Sequence, residues 1–284
     1  MITEKTIISR LAEAATDLSL VSDTARLDAE ILLAHALGMD RNEMLMRHQD
    51  LRVPASFEAM LARRVAHEPV AYITGVQHFW DLTLCVTSDV LIPRSDSETL
   101  IDAAEKYFAG TQHPAEILDL GTGSGALILA ALSLFPRARG TAIDASAAAL
   151  AIASQNADHT GFANRLHLSC LSWHEDGWTQ QLGGRFDLIL CNPPYVENDA
   201  DLSPMVRDYE PASALFAGDD GLHDYRVIIP QIAGILAPDG AAIFEIGAAQ
   251  AQSVSEIAQA AGFKAVLTHD LAGNPRALTL TRAG

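Results

Sequence analysis

The feature that most limits the fold of this chain is a run in its middle, residues 117–125, which reads ILDLGTGSG. Apolar residues with the character of a buried strand lead into a turn of glycines, and the apolar residues that follow recur at helical spacing. Glycines let the backbone pass close to a ligand because no Cβ stands in the way. The run therefore predicts a strand, a turn and a helix. The turn suits the binding of NAD, a flavin or S-adenosylmethionine, or it is simply a tight turn that binds no ligand.

Further apolar runs follow, each separated from the next by a stretch of helical or loop character. Together these runs lie at residues 117–120, 141–143, 166–170, 186–191, 241–246 and 265–268. Strands that alternate with helices are typical of a parallel, doubly wound sheet that binds ligands at the carboxyl ends of its strands. We therefore expect an α/β fold with a Rossmann-like sheet.

The chain before this sheet has a different character. Residues 1–75 read as short amphipathic helices, and residues 76–93 contain an alternating stretch typical of a β-hairpin. Residues 95–98, Ser-Asp-Ser-Glu, have the pattern of a capping box and predict the start of a helix. We expect a small N-terminal helical domain at 1–75, a β-hairpin linker at 76–93 and the sheet domain at 94–284.

Composition narrows the class of protein. Hydrophobic residues make up 49% of the chain, and the formal net charge is −17. Nucleic-acid binding draws much of its affinity from Lys and Arg, so this charge argues against a direct nucleic-acid partner. Arg63 and Arg64 are the candidates for a local basic face and are otherwise expected to be solvated helix charges.

No stretch approaches the roughly 20 apolar residues of a membrane-spanning helix, and residues 1–5 do not read as a signal peptide. We expect a cytoplasmic protein without a membrane partner. The cysteines lack CxxC spacing and the histidines lack HExxH spacing. Buried, reduced thiols and no metal site are therefore expected.

Two residues strengthen the case for a nucleoside cofactor. Asp144 ends the next predicted strand, 23 residues after Gly121, where its carboxylate can accept hydrogen bonds from ribose hydroxyls. The alternative is that Asp144 caps the following helix. Trp173, after the third strand, either covers an adenine face or packs under the loop.

The most specific signal is the loop Asn192-Pro193-Pro194-Tyr195, which directly follows the predicted strand 186–191. Its prolines stiffen the turn and remove backbone donors, so neighbouring carbonyls are free to accept hydrogen bonds. The side-chain oxygen of Asn192 and the carbonyl of Pro193 can accept both hydrogens of an NH2 group, while Tyr195 packs against a planar amide or base. An amide nitrogen is a poor nucleophile, so orientation must supply the catalysis.

Together these motifs resemble the HemK/PrmC family of release factor glutamine methyltransferases. The resemblance covers nearly the whole chain. It includes residues 63–64, 69–75, Phe79, 91–94, 97–98, 209–211, 214–215, 220–222, 245–247, Gln250 and 270–276. It implies transfer of a methyl group from S-adenosyl-L-methionine to the N5 amide nitrogen of the glutamine in the Gly-Gly-Gln motif of peptide-chain release factors.

The resemblance also implies which residues form the site. Those assigned to the cofactor are Gly121, Thr122, Gly123, Ser124, Gly125, Asp144, Trp173 and Asn192. Those assigned to the acceptor amide are Asn192, Pro193, Pro194 and Tyr195, with Asn192, Pro193 and Tyr195 carrying the catalysis. Phe79, Arg94 and Glu98 are expected to line the site from the linker side. Glu210 and Glu245 receive no catalytic role: Glu210 is either part of the loop structure or a substrate contact, and Glu245 reads as a paired structural carboxylate on a buried strand.

Two positions depart from the family pattern. Ser95 stands where the family usually has proline, and serine caps a helix well. Ser172 stands where an acidic residue commonly precedes the tryptophan, which changes how the adenine amino group is held. Stacking by Trp173 is the expected compensation.

Four other functions stay open at this point. The loop suits methylation of an amino group on a nucleic-acid base, or of a glutamine on a ribosomal protein. The chain is alternatively a binding protein for S-adenosylmethionine without catalysis, or an NAD oxidoreductase. The negative charge disfavours methylation of a nucleic-acid base, and the N-terminal helical domain disfavours a ribosomal protein as the substrate. The intact Asn-Pro-Pro-Tyr loop disfavours both the non-catalytic binding protein and the NAD oxidoreductase.

Overall fold

The computed structural model describes residues 6–110 and 112–283. Residues 1–5, whose sequence does not read as a signal peptide, lie outside the described residues. Within the described part, no helix has both the length and the apolar composition needed to cross a membrane. The chain divides into two units: the first comprises the residues up to Val76 together with Leu202–Tyr209, and the second comprises Gln77–Asp201 and the residues from Glu210 onward.

The first unit is built from helices whose apolar faces meet in one core. They are α1 (Ile7–Leu18), α2 (Ala25–Leu37), α3 (Arg41–Arg47), α4 (Ser56–Val65) and α5 (Val70–Thr74). Leu11, Leu33 and Phe57 are fully buried in this core. Local chemistry sets the start of α1, because the Thr6 hydroxyl accepts the Ser9 N–H.

Arg64 is buried, so the expectation that it is a solvated helix charge is wrong. It is 3% exposed, and its Nε donates to Asp28 Oδ2 at 2.8 Å. Arg63 remains exposed and pairs with Glu68. Both arginines lie on α4, but only Arg64 turns toward α2, where burial demands a charged partner.

Two short strands open the second unit. They are β1 (Val76–Phe79) and β2 (Leu82–Cys85), which pair in a small sheet. A 3-10 turn at Ser95–Ser97 then leads into α6 (Glu98–Phe108). The predicted capping box does not form: the Ser97 hydroxyl donates to Glu245, and Glu98 accepts the Trp80 N–H. The acidic member of the predicted box, Glu98, thus bonds to a distant partner, and Ser97, which directly precedes α6, makes no side-chain cap.

The strands of the large sheet alternate with helices along the chain. The strands are β3 (Glu116–Leu120), β4 (Arg139–Asp144), β5 (Leu166–Cys170), β6 (Phe186–Cys191), β7 (Leu236–Glu245), β8 (Phe263–His269) and β9 (Pro275–Arg282). The helices of the second unit are α7 (Ala126–Leu134), α8 (Ala147–Thr160), α9 (Trp178–Gln181), α11 (His223–Ile232) and α12 (Ala251–Ala260), while α10 (Pro204–Arg207), which lies between α9 and α11 in the sequence, belongs to the first unit. Among the described residues the strand order is β5-β4-β3-β6-β7-β9-β8. The α/β, Rossmann-like fold class is confirmed.

The sheet is mixed, which corrects the expectation of a fully parallel one. The strands from β5 to β7 run parallel, but β9 lies between β7 and β8 and is antiparallel to both. Leu280 of β9 pairs with Ala242 on one side and Ala265 on the other. A tight turn, in which Gly273 N–H donates to Asp270 O, allows this return. β9 was absent from the sequence-based prediction.

Helices cover both faces of the large sheet, as its continuous apolar strands require. Along β6, Leu188 packs into a core with α6 and α7, and its neighbour Ile189 packs into a second core with α11 and α12. Successive side chains of a strand point to opposite faces, so both cores take residues from each central strand. The order reverses between β3 and β6, and ligands of such sheets bind at this point, beyond the carboxyl ends of the strands.

Candidate active site

The glycine turn after β3 is held open by backbone hydrogen bonds. Gly121 and Thr122 both donate N–H to Ile143 O, at 2.9 and 3.0 Å. Gly121 has φ +71°, and a Cβ there would lie 3.0 Å from the ring of Trp173. Gly123 has φ +55°, and the space where its Cβ would point is open. These two positions therefore require glycine, one for packing and both for conformation.

Asp144 ties this turn to the end of β4. Its Oδ2 accepts the Gly123 N–H at 2.9 Å, and its Oδ1 accepts the Ser146 N–H at 2.8 Å. Ser146, rather than Asp144, caps α8, because the Ser146 hydroxyl accepts the Ala149 N–H. A carboxylate has about four acceptor sites, so Asp144 keeps capacity for ribose hydroxyls.

Asp119 is a buried acid that sequence reasoning missed. It is 1% exposed, and the Thr122 hydroxyl donates to its Oδ2 at 2.6 Å. Its Oδ1 is buried and lacks a partner among the described residues. Burial raises the pKa of Asp119 to about 7, opposed by the Thr122 hydrogen bond and increased by the charge of Asp144. The available signal was an acidic residue inside an otherwise apolar strand.

Asn156 fixes the turn from the side of the β-hairpin and was also missed. It lies on α8 and is fully buried. Its Nδ2 donates to Ser124 O at 2.8 Å and to Cys85 O at 3.0 Å, while its Oδ1 accepts the Cys85 N–H at 2.7 Å. One amide side chain thus joins the glycine turn to β2.

A cavity of about 910 Å³ lies at this edge of the sheet, within the second unit. Its volume is near the upper end of the roughly 300–1,000 Å³ typical of small-molecule sites. The predicted residues that line it are Gly121, Thr122, Gly123, Ser124, Asp144, Trp173, Asn192, Pro194, Phe79 and Arg94. Gly125, Pro193, Tyr195 and Glu98 are absent from its lining. The structure therefore brings residues predicted for the cofactor and residues predicted for the acceptor to one cavity, with the exception of these four.

Trp173 packs under the glycine turn and also lines the cavity. Its Nε1 donates to Asp224 Oδ1 at 2.7 Å, and its ring edge lies against Gly121. His174 Nε2 lies 3.0 Å from the same oxygen of Asp224, and the His223 ring stacks on His174 with centroids 5.5 Å apart. Asp224, His174 and His223 also line the cavity, and sequence reasoning missed all three.

The Asn-Pro-Pro-Tyr loop begins where β6 ends. Asn192 Nδ2 donates to Ser97 Oγ at 3.4 Å, and Ser97 in turn donates to buried Glu245. Tyr195 was expected to pack on a planar acceptor, but its hydroxyl donates inward to Glu245 Oε1 at 3.2 Å. Burial, together with the charge of Glu245, raises the pKa of Tyr195 well above its usual value. Tyr195 is therefore a neutral hydrogen-bond donor in this loop.

The residues on the linker side differ in placement. Phe79 is 1% exposed and lines the cavity. The guanidinium of Arg94 also lines it and pairs with Glu210, whose other oxygen is buried without a partner among the described residues. Burial raises the pKa of Glu210, and Arg94 opposes that rise. Glu98 instead accepts the Trp80 N–H at 2.8 Å, which fixes the hairpin turn.

The three thiols are free and differ in exposure. Cys85, Cys170 and Cys191 are free, and Cys170 is exposed, contrary to the expectation of buried thiols. Across residues 6–110 and 112–283, no group of three or more His, Cys, Asp or Glu side chains is arranged to hold a metal ion.

Comparison with known proteins adds to this geometry. The family model described as the PrmC N-terminal domain matches residues 9–75. The model described as the methyltransferase small domain matches residues 96–208. The two matches cover the helical part of the chain and the part that holds the glycine turn and the Asn-Pro-Pro-Tyr loop.

Several curated relatives match along most of their length. The chain is 42% identical to the release factor glutamine methyltransferase of Cereibacter sphaeroides, over 95% of this chain and 93% of that protein. It is 40% identical to the one from Caulobacter vibrioides, over 87% and 85% of the two chains. It is 38% identical to the one from Geobacter sulfurreducens, over 85% and 84%.

Solved structures share the fold at lower identity. The hMettl16 catalytic domain, solved in complex with the MAT2A 3′UTR hairpin 6, has a TM-score of 0.58 at 14% identity, over 76% of this chain and 81% of that one. A methyltransferase from Pyrococcus furiosus has a TM-score of 0.51 at 16% identity, over 80% and 99%. At these identities the likeness shows the fold alone.

Proposed function

This chain belongs to the family of release factor glutamine methyltransferases, and we propose that it methylates the N5 amide nitrogen of the glutamine in the Gly-Gly-Gln motif of peptide-chain release factors, with S-adenosyl-L-methionine as methyl donor. One observation carries the proposal. The glycine turn, through Gly121 and Gly123, and the acceptor loop, through Asn192 and Pro194, line the same cavity. A cofactor and an acceptor side chain bound there meet at the switch point of the sheet.

The cofactor side of the cavity fits S-adenosylmethionine. The open space at Gly123 admits close approach to the backbone, and the carboxylate of Asp144 suits the ribose hydroxyls. Asp119 is buried beneath the glycine turn and does not itself line the cavity, but its Oδ1 lacks a partner among the described residues and is the acceptor that we assign to the methionine ammonium. When bound, S-adenosylmethionine supplies an electrophilic methyl group.

The acceptor side supplies orientation. Asn192 Oδ1 and the Pro193 carbonyl accept the two N–H bonds of the glutamine amide and so fix the direction of its nitrogen. The rigid prolines keep these acceptors in place. No strong base is required, because the surplus proton can leave to solvent once the nitrogen carries the methyl group. Arg94, held by Glu210, borders the entrance for the acceptor.

The substrate and its location are also part of the proposal. A net charge of −17 disfavours nucleic acid as the acceptor. We assign recognition of the release factor to the helical unit, where Arg64 is unavailable because it is buried against Asp28, while Arg63 is exposed. A cytoplasmic location remains a prediction.

The test offers several acceptors to the purified enzyme with methyl-labelled S-adenosylmethionine. These are an unmodified release factor, a ribosomal protein fraction, and duplex and single-stranded DNA. We expect label in the release factor alone and, by mass spectrometry, one methyl on the glutamine of Gly-Gly-Gln. The matched control is the same release factor with that glutamine changed to glutamate, which should stay unlabelled. Label in DNA, or in a ribosomal protein with the release factor untouched, contradicts the proposal.

A further inference from the structure

We propose that the buried carboxylate of Glu245 determines which end of the Asn192 side-chain amide faces the acceptor nitrogen, and that it acts through the hydroxyl of Ser97. Glu245 is then a positioning residue. This inference rests on the proposed function, in which Asn192 accepts a hydrogen bond from the glutamine amide.

Three separate parts of the chain meet at this carboxylate. Glu245 is the last residue of β7 and is 1% exposed. Ser97, from the 3-10 turn before α6, is buried and donates its hydroxyl to Oε2. Tyr195 donates its hydroxyl to Oε1 at 3.2 Å, and Asn192 Nδ2 donates to Ser97 Oγ at 3.4 Å. The hydrogen bonds thus form one chain, from Asn192 through Ser97 to Glu245.

The direction of the hydrogen bonds from Asn192 through Ser97 to Glu245 follows from the number of hydrogens that each group can donate. An ionised carboxylate can only accept hydrogen bonds, and a serine hydroxyl has one hydrogen. Because Ser97 donates that hydrogen to Glu245, its oxygen can only accept from Asn192. Asn192 must therefore turn its NH2 group toward Ser97. Its Oδ1 is left free, and an oxygen is the atom that can accept an N–H from an acceptor amide.

Three neighbours of Glu245 favour its ionised form, which this ordering requires, while the negative charge of Asp96 favours the neutral form. Burial raises the pKa of Glu245. The Ser97 hydrogen bond, the positive charge of Arg276 and the Tyr195 hydrogen bond oppose that rise. Arg276 is itself held by Asp96 at 3.1 Å.

Glutamine at position 245 separates this role from a purely structural one. Glu245→Gln keeps the shape and the ability to hydrogen-bond, but its NH2 group can donate to Ser97. The Ser97 hydroxyl is then free to donate to Asn192 Oδ1, which lets the Asn192 amide turn around. The reversed amide presents NH2 to the NH2 of the acceptor, and two donors cannot bond.

The experiment measures methyl transfer to the release factor by the full-length enzyme. For Glu245→Gln we expect kcat to fall by at least about 10-fold, because the acceptor nitrogen is misdirected, while the dissociation constant for S-adenosylmethionine changes by less than about 3-fold. Ser97→Ala should act in the same direction, and Ser97→Thr, which keeps the hydroxyl, should restore most of the turnover. The double variant Ser97→Ala with Glu245→Gln should be no worse than the more affected single variant, since both act on one chain of hydrogen bonds.

Tyr225→Phe is the matched control. The Tyr225 hydroxyl is buried and donates to the main-chain oxygen of Glu245 at 2.7 Å, so its loss weakens the same strand end without touching Ser97. We expect unchanged kcat in this variant.

Wild-type turnover in Glu245→Gln, or additive losses in the double variant, overturns the inference. If Glu245→Gln does not fold, the two Ser97 variants decide: equal turnover in Ser97→Ala and Ser97→Thr overturns it, and restoration only by threonine supports it. All variants are compared with wild-type enzyme on the same substrate. Failure of the wild type to label the glutamine refutes the proposed function, whereas normal wild-type labelling with unaffected variants refutes only the role of Glu245.

Discussion

The glycine turn and the Asn-Pro-Pro-Tyr loop lie at the same edge of the sheet, but they are held in different ways. Most partners of the glycine turn are near in sequence: Thr122 bonds to Asp119, three positions away, and Gly123 to Asp144, 21 positions away. Backbone groups make many of these bonds. The turn is therefore largely assembled by the strands that flank it.

Distant side chains hold the acceptor loop. Asn192 bonds to Ser97, 95 positions away, and Tyr195 bonds to Glu245, 50 positions away. Gln250 donates to Tyr195 O at 3.1 Å. This loop is placed only when the whole unit is folded. The difference predicts that changes near the turn affect cofactor binding and stability, and that changes near the loop affect turnover.

The largest expected effect is in Asp119→Asn, and it tests the cofactor side of the comparison. The pKa of Asp119 rises from 3.8 to about 7 on folding, so the buried carboxyl binds its proton more tightly in the folded protein. The contribution of Asp119 to the free energy of unfolding is therefore most favourable below about pH 4, where the carboxyl is protonated in both the folded and the unfolded chain. This contribution is lost as the pH rises to about 7. Removing the charge should raise the free energy of unfolding without cofactor by up to about 4 kcal/mol at pH 8.

Urea unfolding at pH 5.5 and pH 8 checks this effect. The advantage of Asp119→Asn should be clearly larger at pH 8, and an equal advantage at both values contradicts the assignment. S-adenosylmethionine should also bind this variant more weakly if Asp119 is the partner of its ammonium group, as we propose, because the carboxylate charge is then gone.

Asn192→Ala tests the acceptor side. We expect turnover to fall by at least about 100-fold, because the acceptor nitrogen loses its positioning contact, while the affinity for S-adenosylmethionine changes little. Single-turnover kinetics and calorimetry measure the two quantities. Asn192→Asp is the companion variant, since it keeps the shape and adds charge. Normal turnover in Asn192→Ala removes the loop from the mechanism.

Asp144→Ala tests the glycine turn, and we expect it to have a smaller effect, on the affinity for S-adenosylmethionine. Binding of S-adenosylmethionine should weaken by about 1.5 to 3 kcal/mol, the range for hydrogen bonds to a charged group. Calorimetry measures this loss. Ser146→Ala serves as the control, because it removes the cap of α8 and should lower stability by about 1 kcal/mol with a smaller effect on affinity. Unchanged affinity in Asp144→Ala means that the carboxylate only braces the turn.

The smallest effect is expected in Gln250→Ala, which loosens the acceptor loop from behind. Gln250 donates to Tyr195 O and to Gly221 O, so its loss should lower the free energy of unfolding by about 1 kcal/mol. Turnover should fall more than cofactor affinity. Gln252→Ala, two residues further on and within α12, removes only an exposed bond to Glu256 and should change neither turnover nor cofactor affinity by a measurable amount. If Gln250→Ala weakens cofactor binding instead, the two loops are not held independently.

Prediction from sequence succeeded where a signal is local. The runs at 166–170 and 186–191 coincide with β5 and β6. β6 is a largely buried central strand and is nearly continuous in apolar residues, whereas β5 lies at the edge of the sheet and is only partly buried. The glycine turn and the Asn-Pro-Pro-Tyr loop were found from backbone chemistry alone. β9 was missed, since a strand that returns antiparallel near the edge of a parallel sheet follows no βα alternation.

Prediction failed where a polar side chain had a choice of partner. Ser95 and Glu98 have the spacing of a capping box, but Glu98 accepts the Trp80 N–H, and the neighbouring Ser97 donates to Glu245. Arg64 has the spacing of an exposed helix residue and is instead buried against Asp28. In each case the local pattern does not determine the partner, and the packing of the folded unit selects it.

The sequence by itself determined the fold class and the two loops at the sheet edge, because periodicity, glycine and proline act through the backbone within a few residues. The family followed from the resemblance of motifs along nearly the whole chain. Only the tertiary structure decided which groups hold those loops: Asp119 beneath the glycine turn, and Ser97 with Glu245 behind Asn192. Ser97 and Glu245 are 148 positions apart. A hydrogen bond depends on position and direction within tenths of an ångström, and only the packed chain sets these.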